Sequence, residues 1–197
     1  MRPRSQRLEY GIKDLRTKAI DAAYEQFGST GALSMRKVGA ALGVSAPALY
    51  HHFADKQELL YAVADRAFSE FDRRLRSSDS RDPHRVIHGI LGQYRRFAAD
   101  HPSLFGLMFV EPRPSARCFP RDFAAHRLAV FNQLWNAVAE CVSDSADGTS
   151  DDSLYAAHDL WALAHGQILL WRAGRFENDR TFEETFDRSI ERFITAL

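Results

Sequence analysis

Between Ser34 and Lys56 the chain reads SMRKVGAALGVSAPALYHHFADK, and only Gly43 and Val44 separate two segments of helical pattern. Met35, Val38 and Leu42 recur at helical spacing behind Ser34, a good N-cap, and Gly43 supplies the left-handed residue that stops the helix. Ser45 is placed to cap a second helix that tolerates Pro47 in its first turn and turns Leu49 and Phe53 inward. Two helices joined this tightly cannot lie side by side as a hairpin. They are expected to cross steeply, with small Gly39 allowing the close approach, in the geometry that lets a second helix enter a DNA major groove.

The outward residues suit that use. Arg36 and Lys37 fall in the first turn of the first of these helices, while Ala46, Ala48, Tyr50, His51 and His52 share the outer side of the second. Asp55 opens a further helix with Glu58 at its N3 position, a capping box. Lys56 is thereby set at a helix N-terminus, where backbone amides and its own charge suit a phosphate oxygen.

This segment resembles the N-terminal signature of the tetracycline-repressor (TetR) family of bacterial transcriptional regulators. The match runs over about residues 12–60 and is carried by Ile20, Ala22, Ala23, Phe27, Gly31, Val38, Gly43, Val44, Ser45, Leu49, Tyr50, Phe53, Lys56 and Leu59. The resemblance implies a homodimer in which a small DNA-binding head precedes a larger all-helical domain that binds an effector and dimerises. It also implies that Arg36, Ala46, Pro47, Ala48 and Tyr50 approach bases and that His51, His52 and Lys56 approach the DNA backbone, with Lys37 and Ser45 in the same interface. Gly39 stands where the family more often has Ala, a change between small residues expected to be without consequence.

Net charge is zero overall, yet residues 1–56 hold nine Lys or Arg against five Asp or Glu, leaving 17 against 21 for the rest. Arg2, Arg4, Arg7, Lys13, Arg16 and Lys18 concentrate ahead of the paired helices. The first eight residues are expected to be a solvated tail, able to add a salt-dependent attraction to a duplex. No apolar run reaches the length of a membrane span and no secretory signal is present, so a cytoplasmic protein with no membrane partner is expected. Cys118 and Cys141 form no metal or disulfide framework.

Helical periodicity continues throughout, and strand signals are poor. The pattern predicts an all-α chain of about nine helices: a DNA-binding domain over 1–56 and a helical ligand-binding and dimerisation domain over 57–197. The first helix is expected from about Gly11 to Phe27, the fourth from Lys56 to about Arg76, the fifth over 84–100 and a short sixth from Pro102 to Phe109. The seventh spans about Arg121 to Val142, followed by a polar loop from Ser143 to Ser153. The eighth, Leu154 to Ala173, is apolar on more than one face and must be covered twice. With the last helix it suggests an isologous two-fold bundle using Ile168, Trp171, Phe182, Phe186, Ile190 and Phe193.

Within this body, Trp161, His165 and Gly166 resemble the Trp-x-x-x-His-Gly (WHG) element of a subset of the family, and His101–Phe109 resembles that subset's short helix. A small-molecule site is expected among Tyr94, Phe97, Phe105, Met108, Phe109, Phe131, Trp135, Trp161 and His165, with His165 and Tyr94 as its few polar groups. No third ligand accompanies His84 and His88 at motif spacing, and there is no phosphate loop or nucleophile elbow, so neither a metal, a cofactor nor an enzyme activity is expected. The function expected is that of a repressor of a palindromic double-stranded DNA operator, released by a small apolar or aromatic effector. A DNA-binding protein acting architecturally is the rival.

Overall fold

The computed structural model describes residues 4–75, 80–114, 116–125, 129–143 and 150–197, with side chains described from Asp14 onward except at Leu75, Val130, Ser143, Ser150 and Asp151. Ten helices and no strand occur among them: α1 (Arg4–Thr30), α2 (Met35–Ala41), α3 (Ala46–Tyr50), α4 (Lys56–Leu75), α5 (Pro83–Asp100), α6 (Pro102–Phe109), α7 (Arg121–Ala124), α8 (Ala129–Ser143), α9 (Ser150–Arg172) and α10 (Asp179–Thr195). The chain forms two compact units, residues 1–71 with 101–114 and residues 72–100 with 115–197.

In the first unit α1 packs on α2 and α6, and α2 packs on α3. Ala19, Ala23, Val38, Leu49, Phe53, Leu59, Val63, Leu104 and Phe105 are fully buried there. Gly28 of α1 faces Leu104 of α6, and a Cβ there would meet it at 3.5 Å, an ordinary contact. The helix α1 starts earlier than expected. Residues 4–10 continue it, because nothing between Pro3 and Gly11 breaks a helix and Gly11 is tolerated inside one.

In the second unit α8 packs against both α5 and α9, and α10 against α9 and α5. Ile87, Leu91, Leu134, Val138, Leu160, Ala164, Ile168, Phe182 and Phe186 make its centre. The seventh predicted helix proves to be two, with α7 ending at Ala124 and α8 starting at Ala129. The helix α9 begins four residues before the expected Leu154. Most of the loop expected over 143–153 lies outside the described residues.

Candidate nucleic-acid interface and ligand-binding residues

The junction of α2 and α3 is built from backbone contact. Ser34 has extended backbone and accepts from the Lys37 amide at 3.4 Å, its own N–H donating to Oε1 of Gln26 at 2.7 Å. Gly43 takes φ +68°, and the Val44 amide donates back to the Gly39 carbonyl at 2.9 Å. A Cβ on Gly39 would lie 2.7 Å from the Val44 oxygen and 3.3 Å from the Ala46 nitrogen. The expectation that alanine would serve equally well at 39 is therefore corrected. In this chain glycine is what permits α2 and α3 to meet.

Ser45 occupies the N-cap position of α3, but its side chain makes no capping bond. Pro47 has no N–H to offer it, and the Ala48 amide bonds the Ser45 carbonyl instead at 3.0 Å. The helix α3 is five residues long, so His51 caps it and His52 lies in the following turn rather than on the helix itself. The Glu58 amide donates to Oδ1 of Asp55 at 2.7 Å, and Oε2 of Glu58 accepts from the Ala54 amide at 2.6 Å. The reach-back bond thus falls one residue ahead of Asp55.

Arg36, Lys37, Ser45, Pro47, Tyr50, His51 and Lys56 are exposed, whereas Ala46, Ala48 and His52 are half-buried. Tyr50 keeps 50% of its surface in solvent beside the buried Leu49. A residue missed by sequence reasoning holds this face in place. Arg16 of α1 donates to the His52 carbonyl, pairs with Glu58 at 3.2 Å and stacks over the Phe53 ring at 4.4 Å. Although it stands among the cations expected to attract DNA, its guanidinium ties the end of α3 to α4. Lys18 likewise pairs with Asp14 at 2.6 Å.

The expected ligand-binding residues divide between the units. Phe105, Met108 and Phe109 belong to the first, where Phe109 meets Phe68 and Phe105 at ring centroids of 5.2 and 5.0 Å. Tyr94, Phe97, Phe131, Trp135, Trp161 and His165 belong to the second. There the Tyr94 oxygen lies 2.6 Å from Nδ1 of His165. Burial holds the Tyr94 hydroxyl far above the usual phenol range, against a smaller downward pull from its hydrogen bond with the Trp161 side chain. An indole only donates, so the hydroxyl accepts from Trp161 and gives its own proton to Nδ1, leaving the His165 ring proton on Nε2. Burial also lowers the pKa of His165, which favours this neutral ring.

Rings continue outward from this centre. Trp161 meets His165 at 5.8 Å, His158 at 5.9 Å and Phe123 at 6.0 Å, and Phe123 meets Phe131 at 4.7 Å. Trp135 donates from Nε1 to the Ser153 hydroxyl at 2.9 Å, tying α8 to the first turn of α9. His88, half of the spaced histidine pair, meets Glu191 of α10 at 2.9 Å.

Of the residues expected at a two-fold interface, Ile168, Phe182, Phe186 and Ile190 are buried within their own chain. Trp171 stacks on Phe182 at 4.9 Å and donates to Asp179 at 2.8 Å, and Phe193 is half-buried. The large apolar side chains that α9 leaves exposed are Tyr155, Leu169 and Leu170, none of them among the residues expected at the interface. No helix among the described residues is long and apolar enough to cross a membrane.

Comparison with known proteins agrees with this arrangement. Residues 19–63 match the family model described as bacterial regulatory proteins, tetR family, and residues 87–197 match the tetracyclin repressor-like C-terminal domain. The chain belongs to the TetR family. An uncharacterized HTH-type transcriptional regulator of Mycobacterium tuberculosis is 26% identical over 149 residues, which cover 72% of this chain and 62% of that relative. Among solved structures, a protein of unknown function from Rhodococcus sp. RHA1 superimposes with a TM-score of 0.72 at 24% identity, covering 93% of this chain and 95% of its own. BioQ, solved with its double-stranded DNA operator, superimposes with a TM-score of 0.61 at 22% identity, covering 91% of this chain and 98% of its own.

Proposed function

We propose that the protein is a homodimeric, cytoplasmic transcriptional repressor that binds a palindromic operator and releases it when a small apolar or aromatic effector occupies its body. The observation that carries the DNA reading is the backbone contact of Gly39 with Val44, which fixes the exposed face of α3 against α2. Arg36 reads a base, Ala46, Pro47 and Ala48 offer apolar contact, and Lys56 takes a phosphate. BioQ has this fold and was solved with operator DNA, which supports the assignment.

The effector reading rests on the Tyr94–His165–Trp161 hydrogen-bonded centre among rings, a few polar groups in an aromatic surround. The resemblance of Trp161, His165 and Gly166 to the WHG element supports reading the body as one of that subset. Release requires that the effector bind the DNA-incompetent state more tightly, since equal affinity for both states shifts nothing. A second copy would cover Leu169 and Leu170.

Selection of bound sequences from random DNA tests the reading. A repressor yields one two-fold symmetric sequence bound with a high specificity ratio. Salt-sensitive binding with little sequence preference would instead establish the architectural role.

A further inference from the structure

Arg113 lies between Pro112 and Pro114 in the loop after α6, and its side chain keeps only 6% of its surface exposed. A guanidinium carries five N–H donors and stays charged. Here those donors find little. Nη1 reaches Oδ1 of Asp65 at 3.4 Å, Nη2 reaches the Met108 carbonyl at 3.5 Å, and Nε is buried with no partner. Both contacts are longer than the about 2.7–2.9 Å of a charge-assisted bond. The counter-charge is also well solvated, because the Asp65 side chain is 68% exposed.

The surroundings of the cation are apolar. Its guanidinium carbon sits 5.0 Å from the centre of the Phe68 ring, and Phe68 adjoins Phe109, which meets Phe71 at 6.1 Å. All these groups belong to the first unit. A buried cation is costly unless its donors are satisfied, and a carboxylate offers two oxygens that match the guanidinium fork.

We propose that Arg113 is the anion-recognising group of the ligand site and that it takes the carboxylate of an amphipathic acid whose apolar part lies against Phe68 and Phe109. The inference rests on the proposal that the protein responds to a small effector and on the expected part of the α6 residues Phe105, Met108 and Phe109, which share the first unit with Arg113, and it names that effector's class. Asp65 belongs to α4 and Arg113 to the loop after α6, so a ligand carboxylate that replaces Asp65 on Arg113 releases a tie between that loop and α4. The same exchange gives the acid a means of acting on the helix that follows the DNA-reading segment.

The test is calorimetric titration of the full chain with straight-chain carboxylates from butyrate to decanoate and with the matching primary alcohols. Wild-type protein should bind the acids roughly ten- to a hundredfold more tightly than the alcohols, the size of one hydrogen-bonded charge interaction. Arg113→Gln should erase that preference and leave alcohol binding unchanged. Asp65→Asn, which removes the internal competitor, should tighten acid binding and not alcohol binding. Equal binding of acids and alcohols by the wild type, or an acid preference that survives in Arg113→Gln, refutes the assignment and leaves the small-effector reading standing. Binding of neither series refutes the assignment, and if aromatic compounds also fail to bind, the effector reading falls with it. Should Arg113→Gln not fold, Asp65→Asn decides: unchanged acid affinity overturns the exchange.

Discussion

Tyr94 on α5 and His165 on α9 share a hydrogen bond of 2.6 Å, and the pair sets a pH dependence for the second unit. Burial lowers the pKa of His165 from its ordinary 6.5, so between the two values the unfolded chain binds more protons than the folded one. Stability then rises with pH. The contribution is complete above about 6.5 and is lost as the pH falls toward the lowered value. His165→Asn keeps an acceptor for Tyr94 but cannot titrate. Urea midpoints from pH 8 to pH 5 should therefore fall more steeply for the wild type than for this variant, and parallel profiles would sink the assignment. Tyr94→Phe, which strips the donor from a buried ring nitrogen, should cost about 1–3 kcal/mol.

The two glycines of the reading head separate a contact from a conformation. Gly39→Ala places a methyl group 2.7 Å from the Val44 oxygen, and because both sides are backbone the helices must move apart. It should cost about 1–3 kcal/mol and lower operator affinity further, since α3 is re-aimed. At Gly43 a Cβ meets nothing within 4 Å, and only its φ of +68° resists. Gly43→Ala should cost about 1–2 kcal/mol of stability while the folded fraction still binds operator normally. Chemical denaturation and operator titration on both variants distinguish the cases. Equal operator defects at matched folded fraction would show that Gly39 does not set the angle.

What was legible in the sequence was what neighbouring residues decide among themselves. Ser34, Gly43, and the Asp55 and Glu58 pair declare caps and stops over three or four positions, and the structure uses each of them. Ser45 fails as a side-chain cap because Pro47 removes one of the two amides open to it and the other, that of Ala48, goes to the Ser45 carbonyl. The split between α7 and α8 was hidden because Phe123, Leu128 and Phe131 keep an apolar recurrence across the break. Arg16 looked like one more cation in a basic run; its partner, the His52 carbonyl, is 36 positions away and carries no side-chain signature. Arg113 was lost in the same manner inside a proline-rich loop. Ile168, Phe182, Phe186 and Ile190 have the spacing of a seam, but spacing does not say whether a partner subunit or the chain's own α9 and α10 fill it.

The residues proposed for effector binding call for conservative variants. Phe105 is fully buried in the first unit, so Phe105→Ala should cost about 3–5 kcal/mol and confuse folding with signalling. Phe105→Leu and Trp135→Phe are the informative changes. The latter keeps most of the ring and deletes the donor to Ser153. Each should leave operator affinity of the ligand-free protein within about threefold, below 1 kcal/mol, and shift the concentration of compound needed for release. Fluorescence anisotropy of labelled operator, titrated with aromatic and acyl compounds, measures both. An unchanged release curve in either variant would remove that residue from effector binding.

Arg36 and Lys56 are both exposed cations of the head, and different work is proposed for each. Arg36 stands in the first turn of α2, and its fork can take the two acceptors of a guanine edge, whereas Ala46, Pro47 and Ala48 have no side-chain hydrogen-bonding group. Arg36→Ala should relax preference at one symmetric pair of operator positions, by about 1–3 kcal/mol per contact, and leave the rest of the profile intact. Lys56 is the first residue of α4, where free backbone amides add to its charge. Lys56→Ala should weaken all sequences nearly alike and reduce the slope of log affinity against log salt by about one per head. Binding profiles from randomised operators at two salt concentrations read both effects together. If Arg36→Ala lowers affinity uniformly, it is a phosphate contact like Lys56, and the base reading must come from Tyr50 and the apolar face of α3.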